Sequence, residues 1–314
     1  MADTSTLRPR SVNDIAQPAD YRPGGVAAAP PRGHWATIFG VRKVLTRFGA
    51  AIAVVVIIAI VVDFGATIFA EYRLARSVRA AAQLSWDPSV AILGFPLFSQ
   101  ALGRSYREVE IKAHDVEHAH VGKASLEATM HAIDLGESTW LIGPDARLPI
   151  GKLESRIIID SRHLGGFMGI SDLVVEAPSR DIDDQGGTDR GGRDKPLTTE
   201  SGISDSHGLI FTGTPAAAGF DKRVSVSVDL TIGGADHATL VITPTRVLTG
   251  PGTAQQDVPG DRVAAVLAAF KAELPDQRLP FGVAPTSQGA RGSDVIIEGI
   301  TEGVTVQLNG FRQS

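Results

Sequence analysis

Residues 106–132 read YREVEIKAHDVEHAHVGKASLEATMHA, and their alternation decides the fold class. Val109, Ile111 and Ala113 recur at every second position, as do Leu126, Ala128 and Met130, with charged or polar residues between them. A period of two puts successive side chains on opposite faces of an extended chain. Tyr106 to Val116 and Ala124 to Ala132 are therefore predicted to be half-buried antiparallel strands, separated by a turn before Gly122.

Outward from this pair, further strands are predicted at Leu153–Asp160, Leu173–Glu176, Gly208–Thr212, Val224–Leu230, Ala238–Thr243, Asp294–Gly299 and Val304–Leu308. Two helices stand apart from them. Phe64, Ile68, Tyr72, Ala75, Val78 and Ala82 share one face at 100° per residue, which predicts a helix over Phe64–Leu84. Glu71 falls inside that apolar arc and must find a partner or point at a headgroup layer; local satisfaction is the simpler expectation. Val263, Val266, Leu267 and Phe270 recur at helical spacing between an acidic first turn and Pro275, predicting a helix over Asp261–Leu274. Strands and helices without a regular β-α-β rhythm give an α+β domain, with a large antiparallel sheet wrapped by two main helices.

Before the domain, Phe48–Val62 runs for 15 residues without a charge, and ten of these are Phe, Ile or Val. At the bilayer centre those ten contribute about −3 to −6 kcal/mol of insertion free energy. Asp63 ends the run, where its cost is smaller than the roughly 2.5–3.5 kcal/mol of a central aspartate. The neutral residues Gly65–Ala70 extend the run toward the length of a full span, so one N-terminal transmembrane helix is predicted over residues 48–70. Arg42, Lys43 and Arg47 precede it, which keeps residues 1–47 in the cytoplasm and exports residues 71–314. A cleaved signal peptide is the rival reading. It is disfavoured because Ile68 and Phe64 occupy the −3 positions before Ala70 and Ala66, where small residues are needed.

Charge divides along the same line. Residues 1–47 hold seven Arg or Lys against three Asp, whereas residues 64–314 hold 23 basic and 31 acidic residues. An acidic exported domain argues against nucleic acid as its partner. The arm, rich in Pro, Ala and Arg without period, reads as disordered. Ser179–Ser206, with six Asp and five Gly, reads as a flexible surface insert.

Chemistry is sparse. The chain has no cysteine, which excludes disulfides, thiolate zinc sites and cysteine nucleophiles. It carries no Gly-x-Ser-x-Gly elbow, His-Glu-x-x-His, P-loop or dinucleotide fingerprint, so no catalytic residue and no cofactor are assigned. Ser204, Asp205, Ser206 and His207 are adjacent in sequence, which does not predict a triad in space. Alternation would place His114, His118 and His120 on one strand face, with His131 on the next strand; a solvated polar face is preferred to a metal site. Asp181, Asp183, Gln185 and Gly186 resemble the start of a calcium loop, but Gly192 stands where the bidentate Glu is needed. No metal is assigned.

The most informative stretch is WDPSVAILGFPLF, Trp86–Phe98, an apolar run bracketed by prolines soon after the span. It reads as sheet core or as the mouth of an apolar pocket. Taken with Asp63, Ala70-Glu71, Gly103 and Leu279-Pro280-Phe281-Gly282-Val283, its elements Val90–Ile92 and Gly94-Phe95-Pro96 resemble the LmeA-type phospholipid-binding proteins of the actinobacterial cell envelope. The resemblance covers residues 60–178 and 207–309; the basic arm and the insert depart from the family pattern. It implies a periplasmic domain that binds or shuttles phospholipid and supports envelope or lipoglycan assembly. Pocket candidates are Phe95, Leu97, Phe98 and Phe281. Phospholipid and membrane are the expected partners. An envelope scaffold that binds another protein and an exported hydrolase of lipid or glycan are the competing functions.

Overall fold

The computed structural model describes residues 35–136, 139–177, 203–235, 237–250, 253 and 258–312, with the backbone alone for 35–44. Residues 1–34 of the arm, the calcium-like segment and most of the insert lie outside the described residues, whereas residues 35–47, expected to be disordered with the rest of the arm, are helical. The chain divides into two units, residues 1–55 and 56–314. In the first, the described residues are helical. The second holds the remainder of that helix, α1, which runs from Trp35 to Ala82, together with all the strands. Among the described residues, one helix, over Leu45–Ala82, is long and apolar enough to cross a membrane.

In the second unit the α+β class holds, but the strands form two antiparallel sheets where one large sheet was expected. The first is built from β1 (Ser89–Leu93), β2 (Ser105–His118), β3 (Gly122–Asp134), β4 (Arg147–Asp160), β10 (Ser287–Arg291) and β11 (Asp294–Gln307), in the order β1-β2-β3-β4-β11-β10. The second runs β5-β6-β7-β8-β9, from β5 (Val174–Glu176), β6 (Leu209–Gly213), β7 (Val224–Gly233), β8 (Thr239–Leu248) and β9 (Ala272–Leu274). The sheets are joined at β10: Gln288 Nε2 donates to the Leu230 carbonyl at 3.1 Å, and Ser204 exchanges two hydrogen bonds with Ala290. This approach needs Gly289, because a Cβ there would lie 2.3 Å from the Ser204 carbonyl oxygen. Of the expected insert, Ile203 to Ser206 are described, and the first two, Ile203 and Ser204, are buried.

The alternation is met on the inner face over Val109–Ala113 and Leu126–Met130. Val109, Ile111, Leu126, Ala128 and Met130 join Leu153 and Ile157 of β4 in a core shared with Phe211, Val226 and Ile242 of the second sheet and Leu74 and Val78 of α1. The outer face carries a ladder of opposite charges, Lys112–Glu127–Arg156–Glu298, each next to its neighbour in register.

Two boundaries differ from the sequence reading. The expected strands at Asp294–Gly299 and Val304–Leu308 are one strand, β11, passing through Gly303 at φ 64°. The helix expected to reach Leu274 is α4, Val263–Phe270; Lys271 turns extended, and Ala272–Leu274 form β9 instead, pairing with the edge of β8. Backbone pairing at an open sheet edge outweighs helix continuation there. The helices α2 (Leu97–Leu102) and α3 (Ser161–Met168) were not anticipated; each is too short to show a helical period.

Candidate functional site

Two carboxylates of α1 organise the site. Asp63 is 5% exposed, and its Oδ2 and Oδ1 accept the backbone N–H groups of Leu97 and Phe98 at 2.9 and 2.8 Å. These are first-turn amides of α2, which have no partner within their own helix, and Pro96 supplies no side-chain cap. Eight residues further along α1, Glu71 accepts the Ile92 N–H of β1 at 2.8 Å. Its partner is therefore a strand, and the local satisfaction expected for it is replaced by a tertiary bond.

Between these two clamps runs the turn Gly94-Phe95-Pro96. Gly94 has φ 104°, which only glycine adopts freely. Buried Gln100 braces the turn, donating through Nε2 to the Gly94 carbonyl and accepting the Arg107 N–H at 2.8 Å. Asp63, Glu71 and the Gly94-Phe95-Pro96 turn, part of what carries the resemblance, thus belong to one fastening, which ties α2 and β1 to α1.

Beside the fastening is a cleft of about 450 Å³, lined by Ala66 of α1, by Leu97, Phe98, Ala101 and Leu102 of α2, and by Trp140. That volume falls within the roughly 300–1,000 Å³ of small-molecule sites. Leu135 and Thr139 complete the wall, and Arg104 is its charged residue among the described residues. Arg104 sits at φ 51°, held through its carbonyl, which accepts the Leu135 N–H at 2.9 Å. Trp140 is anchored by its own carbonyl, which accepts the hydroxyl of fully buried Tyr106. Burial pushes the Tyr106 hydroxyl up to about 12, so it remains a donor at neutral pH.

The expected pocket residues fall in two places. Leu97 and Phe98 line the cleft, and Phe95 lies next to them, exposed and stacked on Phe64 at 5.9 Å between ring centroids. Phe281 is elsewhere, in a 3₁₀ turn at Pro280–Gly282, with its ring 5.8 Å from Phe311. Sequence reasoning missed Ala101, Leu102, Arg104 and Trp140. The spacing of Phe98, Ala101 and Leu102 at i, i+3 and i+4 was the available signal for the first two.

The histidines do not share one face. A bulge between Ala113 and Val116, with Asp115 at φ 53°, shifts the register and moves His118 to the face opposite His114. His118 borders a smaller recess of about 180 Å³ near Asp276, Arg278 and Arg312, and burial is the main cause that holds its pKa below the usual value. His131 lies on the outer face, 3.8 Å from Glu108 and 3.5 Å from Glu154.

A family model described as LmeA-like phospholipid-binding matches residues 61–300, which take in Asp63, Glu71, the Gly94-Phe95-Pro96 turn and every residue lining the cleft. The chain belongs to this family. The LmeA-like family is a lipid-binding family and not a known enzyme family, and phospholipid is the ligand class that membership supports. No curated protein and no solved structure matches the chain.

Proposed function

We propose that this protein is a membrane-anchored phospholipid carrier, in which the cleft between α1, α2 and Trp140 receives an acyl chain. The observation that carries the reading is the cleft itself: an apolar wall with one cationic residue at its edge, fastened to a helix able to span a membrane. Burying each methylene contributes about 0.8 kcal/mol, so one chain supplies useful affinity after ordering costs. Leu97, Phe98, Ala101 and Leu102 make the apolar contact, Phe95 flanks it, and Arg104 meets the phosphate. Phe281 packs on Phe311 and supports the fold away from the cleft.

The division that fits this role is a cytoplasmic arm over residues 1–47, an uncleaved anchor over 48–70 and an extracytoplasmic lipid-binding domain over 71–314. Arg42, Lys43 and Arg47 support that orientation. Shuttling phospholipid at the outer face of the membrane would serve envelope or lipoglycan assembly.

The test is native mass spectrometry of the full chain released from mild detergent, beside the variant Ala101→Trp, which fills the cleft. A diacyl phospholipid adduct retained by the parent protein and lost by the variant is the expected result. An apo mass, or adducts equal in both proteins, overturns the proposal.

A further inference from the structure

The apolar run of α1 poses a problem of length. Fifteen uncharged residues, Phe48–Val62, fall about five short of the roughly 20 that cross a hydrocarbon core. Continuing the span would carry Asp63 into lipid, where a free carboxylate is unfavourable. The structure removes that objection, because Asp63 is buried and both its oxygens accept amide N–H groups of α2. Thr67, the next hydroxyl along the helix, is satisfied as well, donating to the Asp63 carbonyl at 2.9 Å.

What surrounds Asp63 is apolar and uncovered. Phe64–Ala70 of α1 and Leu93–Leu102, which includes α2, are two stretches without a charged residue. They meet side by side through the Phe64–Phe95 stack, and Phe69 lies 6.5 Å from Trp140 between ring centroids. Phe64, Ile68, Phe95, Phe98 and Leu102 are all exposed, Leu102 by 78%. Soluble surfaces seldom leave such a patch in water. Tyr72, whose hydroxyl accepts from Arg76 at 2.9 Å, and Arg104 lie just past the patch on its two elements, the residue types that favour the headgroup layer.

We infer that this collar completes the membrane span: the α2 end of the domain is seated in the outer leaflet, and the cleft opens into lipid rather than into water. The bilayer is the occupant because the collar continues the apolar surface of the anchor on the same helix and supplies the length that Phe48–Val62 lacks. Phospholipid then enters the cleft sideways from the leaflet, with its acyl chain remaining in an apolar medium. The inference rests on the anchored lipid-binding reading, and sets the route of loading within it.

The chain has no cysteine, so single labels can be placed in the full-length protein. Phe95→Cys and Ile68→Cys, each carrying an environment-sensitive NBD dye, are reconstituted in phosphatidylcholine–phosphatidylglycerol vesicles, with Glu302→Cys as the outer-sheet control. Both collar labels are expected to emit to the blue and to lose most of their intensity to lipids brominated high on the acyl chain, while the control does neither. Water-like emission at both collar positions, unaffected by brominated lipid, overturns the inference. The phospholipid adduct is scored on the unlabelled parent protein taken from the same vesicles. An adduct retained without quenching sinks the seating alone, and quenching without an adduct upholds the seating and sinks the cleft reading alone.

Discussion

Asp63 Oδ2 accepts the Leu97 N–H at 2.9 Å across 34 residues of sequence. The second oxygen takes the neighbouring amide of Phe98 at 2.8 Å, so one carboxylate caps the start of α2 from another helix. The cleft wall therefore depends on a residue whose sequence context suggested only the end of a span. Replacing Asp63 by Ala leaves two amides without an acceptor, at about 1–3 kcal/mol for each buried group. Hydrogen–deuterium exchange over residues 94–102 should accelerate strongly in Asp63→Ala and less in Asp63→Asn, which keeps one acceptor.

Arg104 is predicted to select for the phosphate of the ligand. Arg104→Gln should weaken phospholipid binding about tenfold, the equivalent of roughly 1.4 kcal/mol, and Arg104→Lys by less. Competition against a fluorescent phospholipid in micelles measures this. Equal affinity in all three proteins would place the headgroup contact elsewhere.

Arg156 holds the charged ladder together. It faces Glu298 through Nε, Glu154 at 2.8 Å and Glu127 at 3.9 Å, all four side chains being at least mostly buried. Arg156→Met removes the cation from among three carboxylates and should cost about 3–5 kcal/mol. Adding Glu298→Met should recover part of that loss, seen as a higher Tm for the double variant than for the single one.

Acid should loosen α3. Burial works to raise the Asp160 pKa, but the backbone N–H of His163 at 2.8 Å and its ring Nδ1 at 2.6 Å outweigh it and hold the carboxyl below its ordinary value. A depressed carboxylate contributes stability that is fully present above its unfolded pKa of about 3.9 and is lost as pH falls through the folded value. Asp160→Asn should therefore lower Tm in the neutral region, where the carboxylate's contribution is fully present, and flatten the acid limb of the Tm–pH curve below about pH 4, where the two proteins converge.

How far the sequence could be read depends on how local each signal is. The alternation at Tyr106–Val116 and Ala124–Ala132 is local and strong, because half-buried strands repeat every two residues; both strands are present with their apolar positions inward. The long apolar helix is equally legible, since hydropathy sums over contiguous residues. His118 shows where locality fails: one residue of bulge at Asp115 reverses its face, and nothing in the alternation announces it. The end of α4 was misplaced because Ala272–Leu274 answer to the edge of β8, more than 20 residues earlier in the chain.

The sequence by itself determined an α+β chain with an apolar N-terminal helix, both written in periods and runs of neighbouring residues, and a Gly-Phe-Pro element whose resemblance to the LmeA-like family implied lipid binding. Only the tertiary structure decided that Asp63 and Glu71 face α2 and β1, that the strands part into two sheets, and that Leu97, Phe98, Leu102 and Trp140 surround one cleft. The reason is that buried amides and carboxylates must find partners wherever the fold brings them together. Such pairings are set by distance in space, which the order of residues along the chain does not record.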